Sequence, residues 1–214
     1  MDFLFSKTIS ILIAIVVFTP AIVFHEIAHG AVANFCGDPT AKNRGRLSLN
    51  PLRHLDLLGV LAIVFFGFGW AKPVPVNPRN FRNEKWGTFL VAAAGPVANI
   101  IFAAIAAATA NFLAGFDLTN FTFLASKILY SLVFANCVLA VFNLLPFPPL
   151  DGSKILQTFL PKNLSQKFVA AENSFAIGLL VAFGVERVLE IQILGPLIFF
   201  PAAKLAAFLF LVFG

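Results

Sequence analysis

Charge is scarce in this chain. Asp, Glu, Lys and Arg make up 12% of its 214 residues, where a soluble domain carries about 25%. Hydrophobic residues make up 59% and the mean hydropathy is +0.91. That balance excludes a water-soluble globule. The chain also lacks a charged tail, a Gly/Ser-rich linker and any polar block long enough for a second domain, so residues 1–214 are read as a single unit. Its core runs from about 8 to 160, with C-terminal helices over about 169–213. Cysteine is limited to Cys36 and Cys137, with no C-x-x-C spacing, which argues against a disulfide framework or a thiolate metal site. The net charge of +5 is spread over short loops between apolar runs. It therefore reports membrane topology, and a nucleic-acid partner is excluded.

What is present is a series of long apolar runs, over about 8–35, 88–111, 121–145, 169–184 and 188–213. Each approaches the ~20 residues that cross a bilayer. Leu57–Trp70 is apolar but short and is interrupted by Gly59, Gly67 and Gly69. The loops on either side of it are basic, with Lys42, Arg44, Arg46 and Arg53 before and Lys72, Arg79, Arg82 and Lys85 after. Both should face the cytoplasm, making Leu57–Trp70 re-entrant. The 111–120 connection carries only Asp117 and belongs outside, while Lys154, Lys162 and Lys167 place the segment after Pro149 inside. The expectation is an all-α polytopic membrane protein in the cell membrane of a prokaryote. It has five transmembrane helices and one re-entrant segment, the N-terminus outside and the C-terminus cytoplasmic. Short β-strands are expected in the cytoplasmic-side loop, where Pro73-Val-Pro-Val76 reads as an edge strand. Near Ala21 the first run imitates a signal peptide; cleavage there would remove most of the helix that follows, so an uncleaved anchor is expected. Pro20 predicts a kink in that helix.

Three histidines occur in the chain, and two of them frame a glutamate: His25, Glu26 and His29. On a helix His25 and His29 lie one turn apart on the same face, a span that suits one zinc ion. Glu26 lies to one side, where it can take a proton from water beside the metal. A hydrogen-bonding role at a helix–helix interface is the plainer alternative.

A catalytic zinc ordinarily takes three protein ligands. Apart from Glu26, the clearest intramembrane carboxylate is Asp151, in Asn143-Leu-Leu-Pro-Phe-Pro-Pro-Leu-Asp-Gly152. The prolines stop a helix, and Gly152 permits a tight path. Spacing alone leaves Asp151 open between metal ligand and helix N-cap. His54, beside Arg53 and Asp56 in a polar loop, is the rival ligand; a hydrogen-bonded structural histidine is the expectation there. Glu186, Arg187 and Glu190 are expected to pair with one another at a turn.

H-E-x-x-H in one apolar run and N-x-x-P-x-P-P-L-D-G in a later one together resemble the site-2 protease family of intramembrane zinc metalloproteases. Ala94-Gly-Pro-Val-Ala-Asn99, Leu49-Asn-Pro-Leu-Arg-His-Leu-Asp56 and Gly69-Trp-Ala-Lys-Pro-Val-Pro-Val-Asn77 are similar to further segments of its short members. The resemblance covers roughly residues 20–155. It implies one zinc ion per chain on His25, His29 and Asp151, with Glu26 as general base and Asn143 and Asn99 as substrate contact or polar support. It also implies zinc-dependent hydrolysis of peptide bonds in transmembrane segments of membrane-anchored substrates, near the cytoplasmic face, in regulated intramembrane proteolysis. The chain has no room for the PDZ or CBS domains of longer members, so a regulatory membrane partner or a preceding cut in the substrate is expected to supply selectivity. The re-entrant region and the Pro73–Val76 strand are expected to hold unwound substrate by strand addition. The competing reading is a non-proteolytic membrane zinc carrier or an inactive relative that binds membrane proteins.

Overall fold

The computed structural model describes residues 2–66, 69–116 and 120–213; Gly67 and Asp117 lie outside them. The described elements are helical: α1 (Asp2–Cys36), α2 (Thr40–Asn43), α3 (Leu57–Phe66), α4 (Glu84–Ala114), α5 (Asn120–Leu144), α6 (Asp151–Gln157), α7 (Lys162–Ala170), α8 (Glu172–Leu189) and α9 (Leu194–Val212). α1 continues through Pro20 as one helix.

Among the described residues four helices are long and apolar enough to cross a membrane, Ile13–Cys36 of α1, α4, Leu124–Leu144 of α5, and α9, or five if the bent pair α7 and α8 is counted as one span. α4, α5 and α9 share a core of Ala103, Ala106, Ala107, Val133, Cys137, Ala202, Ala206 and Leu209. Small residues dominate it because close backbone approach, in lipid, replaces the hydrophobic drive that packs helices in water. The outward surface is apolar as well, with Leu211 81% exposed and Ile105 59% exposed. A soluble protein would not present such a surface.

The helix directions overturn one expectation. α1 and α4 are antiparallel, since Phe24 packs on Phe102 with ring centroids 5.0 Å apart while His29 meets Val91. α9 runs opposite to α5, because Phe199 lies against Phe134 and Phe210 against Tyr130. The Asn111 side-chain amide donates to the Phe213 carbonyl at 2.8 Å. The C-terminus therefore lies at the end of the bundle where α4 stops and α1 begins, not at the opposite end. Hydropathy predicts five alternating passes, with 169–184 as one of them. Instead α7 and α8 form a pair bent by 52°. Phe175 and Phe183 of α8 pack on Phe147 and Phe142, at and beyond the last turn of α5. The pair carries the chain along that end without returning it. At the turn after α8 the expected mutual pairing is also absent among the described residues. Glu186 instead accepts the Ile193 and Leu194 N–H groups, placing a negative charge at the N-terminus of α9.

α3 has 10 residues, a rise of ~15 Å against the ~30 Å of a hydrocarbon core. Its flanks meet: Leu55 pairs with Ala71, and the Lys72 N–H donates to the His54 carbonyl at 2.8 Å. Trp70 lies so close to Gly59 that a β-carbon there would be 2.0 Å from its carbonyl oxygen. The excursion thus leaves and returns at one place.

Among the described residues no β-strand forms. Pro73–Val76 joins no ladder. Pro73 and Pro75 have no N–H to give, and the Val74 N–H donates to Glu26 at 2.8 Å. Further along, the Asn77 N–H donates to Asp38 at 2.7 Å. The Val74 group that strand addition would use is spent inside the protein.

Candidate metal centre

His25 and His29 project from α1 toward the first half of α4, and both are buried. Asn99 Oδ1 accepts from His25 Nδ1 at 2.7 Å. The orientation of that amide follows from its other contacts, since Asn99 Nδ2 donates to the Ala21 carbonyl and to Asn136 Oδ1, at 3.0 and 2.8 Å. Asn136 Nδ2 in turn donates to the Leu132 carbonyl. The chain of donors leaves Asn99 Oδ1 as an acceptor, so His25 Nδ1 must carry its proton. His29 Nδ1 likewise donates to the Val91 carbonyl at 2.6 Å. In neutral imidazoles both Nε2 atoms are then bare lone pairs, and they face each other at 3.0 Å.

The third group arrives from α6. Pro146, Pro148 and Pro149 stop the helix after α5, and the chain turns back so that Asp151 opens α6. Gly152 is required by proximity: a β-carbon there would be 2.2 Å from the Leu144 carbonyl oxygen. Asp151 sits one residue inside the helix and its side chain makes no cap; Leu150 occupies the cap position. Its Oδ2 lies 3.2 Å from His25 Nε2 and 3.1 Å from His29 Nε2. That oxygen is buried and has no hydrogen-bond donor among the described residues.

Three lone-pair atoms facing one another in a buried site repel unless a proton or a cation sits between them. Four-coordinate zinc with ligands at ~2.0–2.1 Å separates them by roughly 3.3 Å, close to the spacing found here. The residues present therefore fit a metal ion, and ligand atoms of His25, His29 and Asp151 all lie within 4.8 Å of one another.

Glu26 is half-buried beside this trio, and one of its oxygens accepts from Val74. His54 stands apart from the metal-ligand group. It is fully buried in the loop, donating from Nε2 to the Ser48 carbonyl at 2.7 Å. Asn143 donates back to Leu139 of its own helix, and no hydrogen bond joins it to the trio among the described residues.

Comparison with known proteins identifies the family. The pattern of peptidase family M50 matches residues 119–184, a stretch that holds Asn143 and Asp151. "Putative zinc metalloprotease YwhC" of Bacillus subtilis is 41% identical over 162 residues, 74% of this chain and 74% of that protein. This chain belongs to peptidase family M50. Two proteins named "Putative zinc metalloprotease Rip2" are each 31% identical to it. The one from Mycobacterium tuberculosis aligns over 74% of this chain and 61% of its own length. The one from Mycolicibacterium smegmatis aligns over 64% of this chain and 52% of its own length. No solved structure matches.

Several groups in this M50 chain carry no signal in the sequence. Asn136 looks like any polar residue in an apolar helix; its burial and its place behind Asn99 are tertiary facts. The Val91 carbonyl and the Val74 amide are backbone groups without a sequence signature. Lys154, which the sequence marks only as a topology signal, lies 3.9 Å from Asp151 Oδ1. Its spacing three residues after Asp151, at the start of a helix, was the available signal.

Proposed function

We propose that this M50 metalloprotease hydrolyses peptide bonds within the transmembrane segments of membrane-anchored proteins. It does so with one zinc ion held by His25, His29 and Asp151. The reading rests on one observation: two imidazole Nε2 atoms and a carboxylate oxygen converge in the interior of an apolar helix bundle. Bound zinc would supply a Lewis acid that favours deprotonation of water and stabilises negative charge on a carbonyl oxygen. Glu26, one residue from the first ligand and half-exposed, takes the proton of the attacking water and returns it to the leaving nitrogen. The Val74 N–H holds Glu26 Oε2, orienting the other oxygen toward the reacting water. Asn99 and the Val91 carbonyl hold the two imidazoles in the tautomer that points Nε2 inward. Asn143 is assigned to contact with substrate.

Lys42, Arg44, Arg46, Arg53, Lys72, Arg79, Arg82 and Lys85 flank the ends of α1 and α4 nearest the site, so that end faces the cytoplasm of a prokaryotic cell. Four helices cross, Leu57–Trp70 dips in and returns, and both termini lie outside. Cleavage then falls near the cytoplasmic face. A membrane partner, or a preceding cut elsewhere in the substrate, sets selectivity.

The test is a Glu26→Gln variant, purified beside the parent and offered a single-span substrate in liposomes. Cleavage should fall by at least ~100-fold while one zinc per chain remains bound. Undiminished cleavage would remove Glu26 as the base, and absence of zinc from the parent would remove the metal assignment.

A further inference from the structure

Val91, Gly95 and Asn99 recur every four residues along α4 and share one face. Val91 holds His29 at one end of that row and Asn99 holds His25 at the other. Gly95 lies between them. A β-carbon at Gly95 would be 2.4 Å from His25 Cε1, 2.5 Å from His29 Nε2 and 2.6 Å from His25 Nε2. The three nearest atoms all belong to the two imidazoles, and two are the nitrogens that face Asp151. Carbon contacts lie ordinarily at ~3.5–4.0 Å, so the rings would have to move. They cannot move while keeping their bonds, because each is pinned at Nδ1. Glycine is also a poor helix former, and here it stands inside a 31-residue helix with Pro96 beside it. A close approach gives the position its reason.

We propose that Gly95 is a positioning residue of the metal centre: its missing side chain keeps open the volume in which His25 and His29 share an ion. α4 thereby shapes the site at three successive turns without contributing a ligand. This rests on the reading of His25, His29 and Asp151 as ligands. It goes beyond that reading by assigning a size limit to a residue that touches no proton and no charge.

The experiment measures zinc binding to purified full-length Gly95→Ala in detergent, by mass spectrometry and competition with a chelating dye. The parent and Gly178→Ala, where no atom lies within 4 Å of the added carbon, serve as references. Gly95→Ala should bind zinc at least 100-fold more weakly, with Gly178→Ala matching the parent. Thermal unfolding of zinc-free protein separates this from a packing role. In a His25→Ala/His29→Ala background, where the colliding rings are gone, adding Gly95→Ala should leave the unfolding midpoint unchanged or higher. Parent-like zinc affinity in Gly95→Ala would overturn the proposal. So would a drop in that background equal to the drop in the parent, because the glycine would then serve helix contact alone. If the parent itself takes up no zinc, the ligand assignment falls, and the role of Gly95 falls with it.

Discussion

The backbone N–H of Val74 donates to Glu26 Oε2 at 2.8 Å, joining groups 48 residues apart. The contact brings the Pro73–Val76 segment to the candidate base and makes that segment part of the site. Gly30 permits it: a β-carbon there would be 3.1 Å from Val74 Cγ1 and 2.6 Å from Leu47 Cδ2, so the loops before and after α3 pack directly on α1 beside His29.

Val74→Pro removes that donor in a stretch already shaped by prolines. A hydrogen bond to a charged group contributes about 1.5–3 kcal/mol. The variant should therefore lose roughly tenfold or more in kcat, with little change in KM. Val74→Ala, which keeps the N–H, should stay near the parent. Steady-state cleavage of a single-span peptide separates the two; equal losses would assign the effect to the side chain.

Asn99→Leu leaves His25 Nδ1 without its acceptor and strands the Asn136 amide oxygen in a buried site. Loss of a group that orients a metal-ligating histidine typically costs 10–100-fold in affinity. Zinc competition assays on Asn99→Leu should show a fall of about that size, and Asn136→Leu a smaller one. Unchanged affinity in Asn99→Leu would mean that α1 alone sets the His25 ring.

Asp38 is fully buried just past α1 and ties the Asn77–Asn80 turn to that helix. Burial pushes its carboxyl up, but hydrogen bonds from the Asn77 N–H, the Thr40 hydroxyl, the Asn80 amide and the Thr40 N–H outweigh this and hold it below its usual value. A lowered folded-state pKa stabilises the fold above the unfolded value of ~3.9, and that contribution is lost as pH falls below it toward the folded value. Asp38→Asn should unfold at lower temperature than the parent in detergent, by a margin that is constant from pH 7 to about pH 5. The margin should narrow below about pH 4. A margin independent of pH down to 3 would show that the charge plays no part.

Termini at one end of the bundle predict one labelling pattern. In a Cys36→Ser/Cys137→Ser background, single cysteines at Phe213 and Phe116 should react with a membrane-impermeant thiol reagent from the same side, and one at Arg79 from the other. Labelling of Phe213→Cys together with Arg79→Cys would restore an odd number of crossings.

Hydropathy located the apolar runs well, because burial in lipid is a property of composition over ~20 residues. It did not give their direction. That depended on the 52° bend between α7 and α8, and no count of apolar residues reveals whether a bent pair crosses or turns back. The prolines of Pro73–Val76 read as an edge strand, but the segment joins no ladder, and the partner of the Val74 N–H proved to be a side chain on α1.

The amino-acid sequence by itself determined which chemistry is available. Paired imidazoles one turn apart, a carboxylate between them and a second carboxylate after a proline break are local facts, written in residue type and spacing. Tertiary packing decided the rest. It directed both Nε2 atoms and Asp151 Oδ2 to one point, through acceptors on a different helix. It also brought Gly95 close enough for one methyl group to matter, and it returned the C-terminus to the end where α1 begins. These are relations between segments tens of residues apart, set by how closely helices approach, and no local pattern carries them.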